Sequence, residues 1–301
     1  VRRAVRDLRA SWQRPDGEEL VDALSIARVA RELACGFYYR WRFPGAPDRR
    51  DVEAWFAARK AWHRELREAL KAGRPHMDSP LLCAKAAIRA YQGDRAGAVP
   101  GGKAYDGDLP VWRAVAWPRW RDLRDTVAHE TEPVWVDRWL AVDAASWAAE
   151  ARGVVWYEHD AFGKAVAEAA AAAGVNVGLH GGGPGAEERL RAERGDRSIV
   201  ASIKSHGVGR DGLQALFAEQ LVANPPGDGG AWEQLLGRLH RQGQMADEVV
   251  THVYRHTPEI ADAIDRAVAL AKYIEGITGS MQKLLAADVE WDLPRRAAAA
   301  T

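Results

Sequence analysis

The sequence predicts an α/β protein: a parallel-sheet lobe over residues 134–301, preceded by a mostly helical segment over residues 1–133. Two observations predict it. Up to Ala149, apolar residues recur at helical spacing. Beyond Gly153, short β-branched and aromatic runs alternate with helical stretches. Strands alternating with helices imply parallel pairing, because each crossover helix has to lie on a face of the sheet.

In the first segment, Leu20, Leu24, Ala27 and Ala30 align one apolar face along Glu18–Leu33. Val52, Trp55, Ala58, Trp62, Leu66 and Leu70 do the same along Asp51–Ala72, and Gly73 stops the pattern. Pro44-Gly45-Ala46-Pro47 separates these helices. The glycine-rich stretch Gln92–Pro110 has no period and reads as a loop, and Trp139–Ala149 reads as a helix. Trp112, Trp117, Trp120, Trp135, Trp139 and Trp147 crowd this region. Their irregular spacing suits packing of apolar bulk better than a base-stacking platform.

In the second segment, Val154–Tyr157 is a buried-strand run. Asp160 can cap a helix carrying Phe162, Val166, Ala169 and Ala173, which ends at Gly174. Further strands are expected at Val175–Leu179, Ser198–Ile203, Gln220–Ala223 and Val249–Tyr254. Helices are expected at Ala186–Glu193 and Ala231–Arg241. Thr257 followed by Pro258 opens a long final helix. Ligands of such sheets sit beyond the carboxyl ends of the strands, which directs attention to the loops after Tyr157, Ile203 and Ala223.

Composition narrows the function. The chain of 301 residues has 42 basic and 42 acidic side chains, so it is not a globally basic nucleic-acid binder, although a local basic groove is compatible. Cys35 and Cys83 are too few for a disulfide framework or a four-cysteine zinc site. No apolar run reaches the roughly 18–20 residues of a membrane helix. A start at Val1 without methionine or signal peptide reads as a piece of a cytoplasmic protein.

Two glycine patterns resemble phosphate loops. Gly97–Ala104 fits G-x-x-x-x-G-K but ends in Ala104, which lacks the hydroxyl that holds magnesium, and no strand precedes it. Gly207-Val208-Gly209-Arg210-Asp211-Gly212 fits G-x-G-x-x-G directly after an expected strand, with Asp228 near the position of a ribose-binding acid. That fingerprint normally opens the first unit of a dinucleotide-binding domain, whereas here two strand–helix units precede it. A self-contained dinucleotide-binding enzyme built on Gly207–Gly212 is therefore the second reading, and a non-catalytic interaction module the third.

The strongest constellation is Glu233-Gln234-Leu235-Leu236-Gly237-Arg238-Leu239-His240-Arg241-Gln242-Gly243-Gln244. On a continuous helix, Arg238 and Arg241 would leave from one face together with Gln234. Two permanently charged planar forks aimed at one spot suit a polyphosphate. The segment resembles motif VI of superfamily-two helicases and translocases, in particular the E-Q-x-x-x-R-x-H-R-x-G-Q of the Swi/Snf-type branch. Ser202-Ile203-Lys204-Ser205-His206-Gly207-Val208-Gly209 resembles that branch's motif V, with Ser205 and His206 in place of small residues. The chain then runs one residue longer than the usual L-N-L. Val154–His159 resembles motif IV, His180-Gly181 the H-G after the next strand, and Asn224-Pro225-Pro226 the turn before motif VI. Ala34-Cys35-Gly36-Phe37-Tyr38-Tyr39-Arg40-Trp41 is similar to a stretch in the helical segment that precedes this lobe in phage-encoded members.

The resemblance implies a C-terminal RecA-like lobe, half of an ATP-dependent helicase or translocase. ATP and Mg2+ would be held mainly by a first lobe whose phosphate loop and D-E-x-H these residues lack. Arg238 and Arg241 would be exposed arginine fingers, with Gln234, Gly207, Gly209 and Asp211 also at the nucleotide. Ser202, Lys204, Ser205, His206, His180 and Gly181 would touch the backbone of a nucleic acid, DNA rather than RNA. The implied partners are that nucleic acid and the first RecA-like lobe, with no membrane. Alone, the chain is expected to hydrolyse nothing.

Overall fold

The structure, a computed structural model, describes residues 1–73, 77–95, 112, 114–208 and 212–287. The lookalike phosphate loop Gly97–Ala104 lies outside these residues, as do Gly209 and Asp211. Two compact units emerge. One comprises Arg3–Val29 and Tyr39–Val134, and the other Val1–Arg2, Ala30–Tyr38 and Trp135–Thr301. The sequence boundary at residue 134 therefore omits a piece: Ala30–Tyr38 packs with the sheet. The reason is burial, since Leu33, Ala34, Cys35 and Phe37 are at most 1% exposed.

The chain opens with α1 (Arg2–Ser11), α2 (Ala23–Ala34) and β1 (Phe37–Arg42), followed by α3 (Arg49–Lys71), α4 (Pro80–Arg95), α5 (Trp117–Leu123) and β2 (Glu130–Trp135). β1 and β2 pair, so this segment is not purely helical. The stretch Ala34–Trp41 turns from helix to strand at Gly36, whose φ of +92° ends α2. Ion pairs Arg40–Glu132 and Arg42–Glu130 match the antiparallel sense of pairing. Asp48 caps α3 through Arg50 N–H. Trp62, Leu66 and Ala69 of α3 pack with Cys83, Ala87 and Trp117. The Glu65 carboxylate accepts from the N–H groups of Val115 and Ala116, each at 2.7 Å, and so fixes the entry to α5. Trp55 meets Trp41, Trp120 and His129 at ring distances of 5.1–5.4 Å. None of the six crowded tryptophans is exposed, as packing requires. Fully burying a large apolar side chain contributes about 1.5–3 kcal/mol.

The second unit is an α/β lobe. It adds α6 (Trp139–Ala151), β3 (Val154–Tyr157), α7 (Asp160–Ala172), β4 (Gly178–His180), α8 (Ala186–Arg191), β5 (Ile199–Ser202), the helical turn α9 (Ile203–His206), a 3-10 turn at Leu213–Ala215 and β6 (Glu219–Val222). The chain closes through α10 (Gly229–Leu236), β7 (Val250–Val253), α11 (Pro258–Thr278) and α12 (Lys283–Ala286). The five strands β3–β7 form one sheet in the order β4-β5-β3-β6-β7, with every pairing parallel. This is the doubly wound architecture expected of a RecA-like lobe.

Alternation along the strands explains the two-sided cover. Val154, Trp156, Ile199, Ala201, Val222 and Val253 share a cluster with Trp232, Leu235 and Leu236 of α10 and Ile260 and Ile264 of α11. On the opposite face, Gly163 of α7 meets Tyr157: a Cβ there would sit 2.5 Å from the ring. The buried Gln220 is satisfied on both sides, accepting from Trp156 Nε1 at 2.9 Å and donating to Thr251 Oγ1 at 2.8 Å. Thr257 caps α11 through Ile260 N–H, as its pairing with Pro258 suggests. Asp160 is the first residue of α7 and not its cap; His159 takes that position. No helix among the described residues is long and apolar enough to cross a membrane.

Candidate functional site

The carboxyl edge of the sheet carries two regions of different character. The first lies between β3 and β6. From β3 the chain crosses the sheet in one direction, and from β6 in the other, so these neighbours form the switch point where open sheets hold ligands. Here the protein fills that crevice itself. Asn224 Oδ1 accepts from Glu158 N–H at 3.0 Å, and Asn224 Nδ2 donates to Cys35 Sγ at 2.9 Å. Arg31 pairs with Glu158 and donates to the Pro225 carbonyl at 2.9 Å. His256 Nε2 lies 2.7 Å from the carbonyl oxygen of Ala34. Burial drives the Cys35 thiol well above its ordinary range, so it stays protonated.

The second region combines the ends of β4 and β5 with the segment after α10. His206 Nε2 sits 2.9 Å from the Gly181 carbonyl oxygen. A Cβ on Gly182 would come within 2.9 Å of Ser205 Oγ. The loops carrying His180-Gly181 and Ser205-His206 are thus in direct contact. His180 stands edge-on to His206, with ring centroids 6.3 Å apart. His180 Nε2 lies 2.9 Å from Glu193 Oε1, and Arg197 donates to both Glu193 oxygens, at 2.7 and 3.2 Å. Burial alone would raise the Glu193 carboxyl, but the bonds from Arg197 and His180 outweigh it and hold the group below its ordinary range. Tyr157 Oη donates to the His180 carbonyl at 3.3 Å. Burial, with Asp160 second, pushes that phenol up to about 12, so it remains a donor.

Several expected nucleic-acid contacts are therefore interior groups. Ser202 and His180 are buried at strand ends, and His206 is fully buried. Lys204 is exposed, while Ser205 and Gly181 are half-buried. The interior members shape the loops that Lys204 and Ser205 decorate. Sequence reasoning missed Glu193 and Arg197, although their i,i+4 spacing was a usable signal.

The arginine pair also differs from expectation. α10 stops at Leu236, and Gly237 to His240 form a turn. Leu239 is fully buried, and drawing it into the core takes the chain off the helical path. Arg238 and Arg241 consequently do not leave one helix face. Arg238 is only 5% exposed, and its Nε–H donates to the Gly207 carbonyl oxygen at 3.0 Å. Gly207 fits because a Cβ there would lie 2.4 Å from the Ile203 carbonyl oxygen. Arg241 is exposed, as is Gln234. Both line a pocket of about 220 Å3 with Glu233, Arg238, His240 and Lys283. No group of three His, Cys, Asp or Glu side chains among the described residues is placed to hold a metal ion. The pocket's cations suit an anionic ligand, and its one carboxylate is engaged by Lys283.

No family model matches the chain. No curated protein matches it in sequence. Among solved structures it is similar to the C-terminal domain of a Dbp5 variant from S. cerevisiae, determined bound to a Gle1 variant and IP6. The identity is 12% and the TM-score 0.35, over 52% of this chain and 83% of that one. A superposition of that quality says nothing about chemistry, and the fold rests on the sheet itself.

Proposed function

We propose that this chain is the C-terminal motor lobe of an ATP-dependent nucleic-acid helicase or translocase. Its motifs resemble those of the Swi/Snf-type branch, and DNA rather than RNA is the proposed track. The observation that carries this reading is the hydrogen bond from Arg238 to the Gly207 carbonyl. It ties the segment that resembles motif VI to the loop that resembles motif V, and it leaves Arg241 exposed beside them.

In this reading Arg241 is the finger, and Arg238 is the residue that positions it. A partner lobe supplies the phosphate loop and the magnesium carboxylates. When the lobes close, the Arg241 guanidinium meets negative charge growing on the transferred phosphoryl oxygens. In other phosphoryl-transfer enzymes such a residue is worth about 10³–10⁵ in rate. Lys204 and Ser205, presented by the loop after β5, contact track phosphates without reading bases. The same loop reaches Gly207, so a shift of the nucleotide pocket moves the track contact as well.

The dinucleotide reading is weaker on the structure. The Gly207 loop follows the third strand of the sheet, and the switch-point crevice is filled by Arg31, Cys35, Glu158 and Asn224. The deciding experiment supplies a phosphate-loop lobe to this chain and measures DNA-stimulated ATP hydrolysis. Arg241→Ala is expected to reduce the stimulated rate by at least about 10³-fold. An unchanged rate refutes the finger assignment.

A further inference from the structure

We propose that the Lys283 ammonium is an additional phosphate-binding group of the pocket between Gln234 and Arg241, held in reserve by Glu233 until a nucleoside triphosphate competes for it. This rests on the reading that the pocket faces the nucleotide. Lys283 belongs to the last helical turn of the described chain, far in sequence from either motif. It nevertheless lines the same depression as Arg238, His240 and Arg241.

Its placement is fixed. The Lys283 N–H donates to Glu233 Oε2 at 2.7 Å, and the ammonium pairs with Glu233 Oε1. Gln282 N–H donates to Glu275 Oε2 at 3.0 Å, and Leu284 is buried against the core. The lysine stem runs over Gly237, with Cε 3.7 Å from where a Cβ of that residue would lie. The ammonium thus sits over the turn that leads into Arg238.

The pair is not sealed: the two side chains keep 36% and 25% of their exposure. Ion pairs in such surroundings are weakly held. A bound polyphosphate carries several charges and meets the exposed Arg241 at the same time, so it can draw the ammonium from a single carboxylate. The ammonium then faces the ligand, while the Glu233 carboxylate keeps its bond from the Lys283 N–H and the net charge of the pocket is unchanged. The exchange also couples α12, and the segment leading into it, to occupation of the pocket.

The test titrates ATP, inorganic tripolyphosphate and adenosine into the 301-residue chain at low ionic strength, followed by calorimetry and by thermal shift. ATP and tripolyphosphate are expected to bind, and adenosine is not. Lys283→Gln should weaken tripolyphosphate roughly two- to fivefold, and Lys283→Arg should retain it. Glu233→Gln should tighten it by a similar factor. Both Lys283→Gln and Glu233→Gln break the same ion pair, so a purely structural Lys283 would move affinity in one direction for both, or not at all. Either of those results overturns the proposal, as does a wild-type chain that shows no saturable tripolyphosphate binding. Arg241→Ala separates the two levels. If it weakens binding while the Lys283 and Glu233 variants are silent, only the role of Lys283 fails. If it too is silent, the nucleotide-facing pocket fails with it.

Discussion

Arg238 and Gly207 are joined by a 3.0 Å hydrogen bond that spans 31 residues of sequence and leaves the arginine 5% exposed. Gly207 is itself buried and has no space for a side chain. The bond gives the two arginines unequal roles.

Arg238→Ala is expected to destabilise the protein by about 1–3 kcal/mol, since it leaves a buried carbonyl without its donor. Arg241→Ala, an exposed position, should change stability by no more than about 0.5 kcal/mol. Urea unfolding of both variants, read by tryptophan fluorescence, checks the asymmetry. Equal losses would contradict it.

Lys204 and Ser202 offer a similar contrast at the proposed nucleic-acid track. Removing an exposed phosphate contact should weaken DNA binding and lower the slope of log affinity against log salt by about 1. Lys204→Ala should do this. Ser202→Ala should leave the slope alone, because that side chain is interior. Fluorescence anisotropy across a salt series distinguishes them.

Glu193 makes acid sensitivity local. Its carboxyl is held below the ordinary range in the folded protein. A depressed folded value contributes stability that is present above the unfolded value of about 4.3 and is lost as pH falls through the folded value. Glu193→Gln should therefore be less stable than wild type at pH 7, with the gap closing as the medium is acidified below about pH 4. Melting temperatures over that range give the answer. A gap independent of pH would mean that the carboxylate charge is irrelevant to the His180 loop.

Among the described residues, Gly36 is the tightest glycine of the lobe. Its φ is +92°, and a Cβ would lie 2.0 Å from the Asp137 carbonyl oxygen. Its own carbonyl accepts from both Val136 and Asp137 N–H, at 2.8 and 3.0 Å. Gly36→Ala should cost about 2–4 kcal/mol, measured by denaturant unfolding. A nearly neutral effect would show that the turn between α2 and β1 can rearrange.

Much of the lobe could be read from sequence because its signals are local. Val154–Tyr157 is an unbroken apolar run and became a fully buried strand. Thr257-Pro258 carries its own helix start. The errors arise where distant contacts decide. Nothing local shows that Leu33 to Phe37 complete a core whose strands begin more than a hundred residues later. The alternation in Phe37–Arg42 is a strand signal, but the helical periods of Glu18–Leu33 and Asp51–Ala72 on either side of it mask it. At Gly237 the helical spacing continued on paper, yet burial of Leu239 turned the chain, so two arginines three positions apart diverged. The closeness of Lys283 to that turn has no sequence signature at all.

The bond between Asn224 and Cys35 spans 189 residues. During translation at about 5–20 residues per second, the thiol side of that contact waits roughly 10–40 s for its amide partner to be made. Until then, the apolar surface of Leu33, Ala34 and Phe37 has no finished shelter. A ribosome pausing before Asn224 would thus expose a sticky early stretch, since the crevice cannot close until that residue has been made.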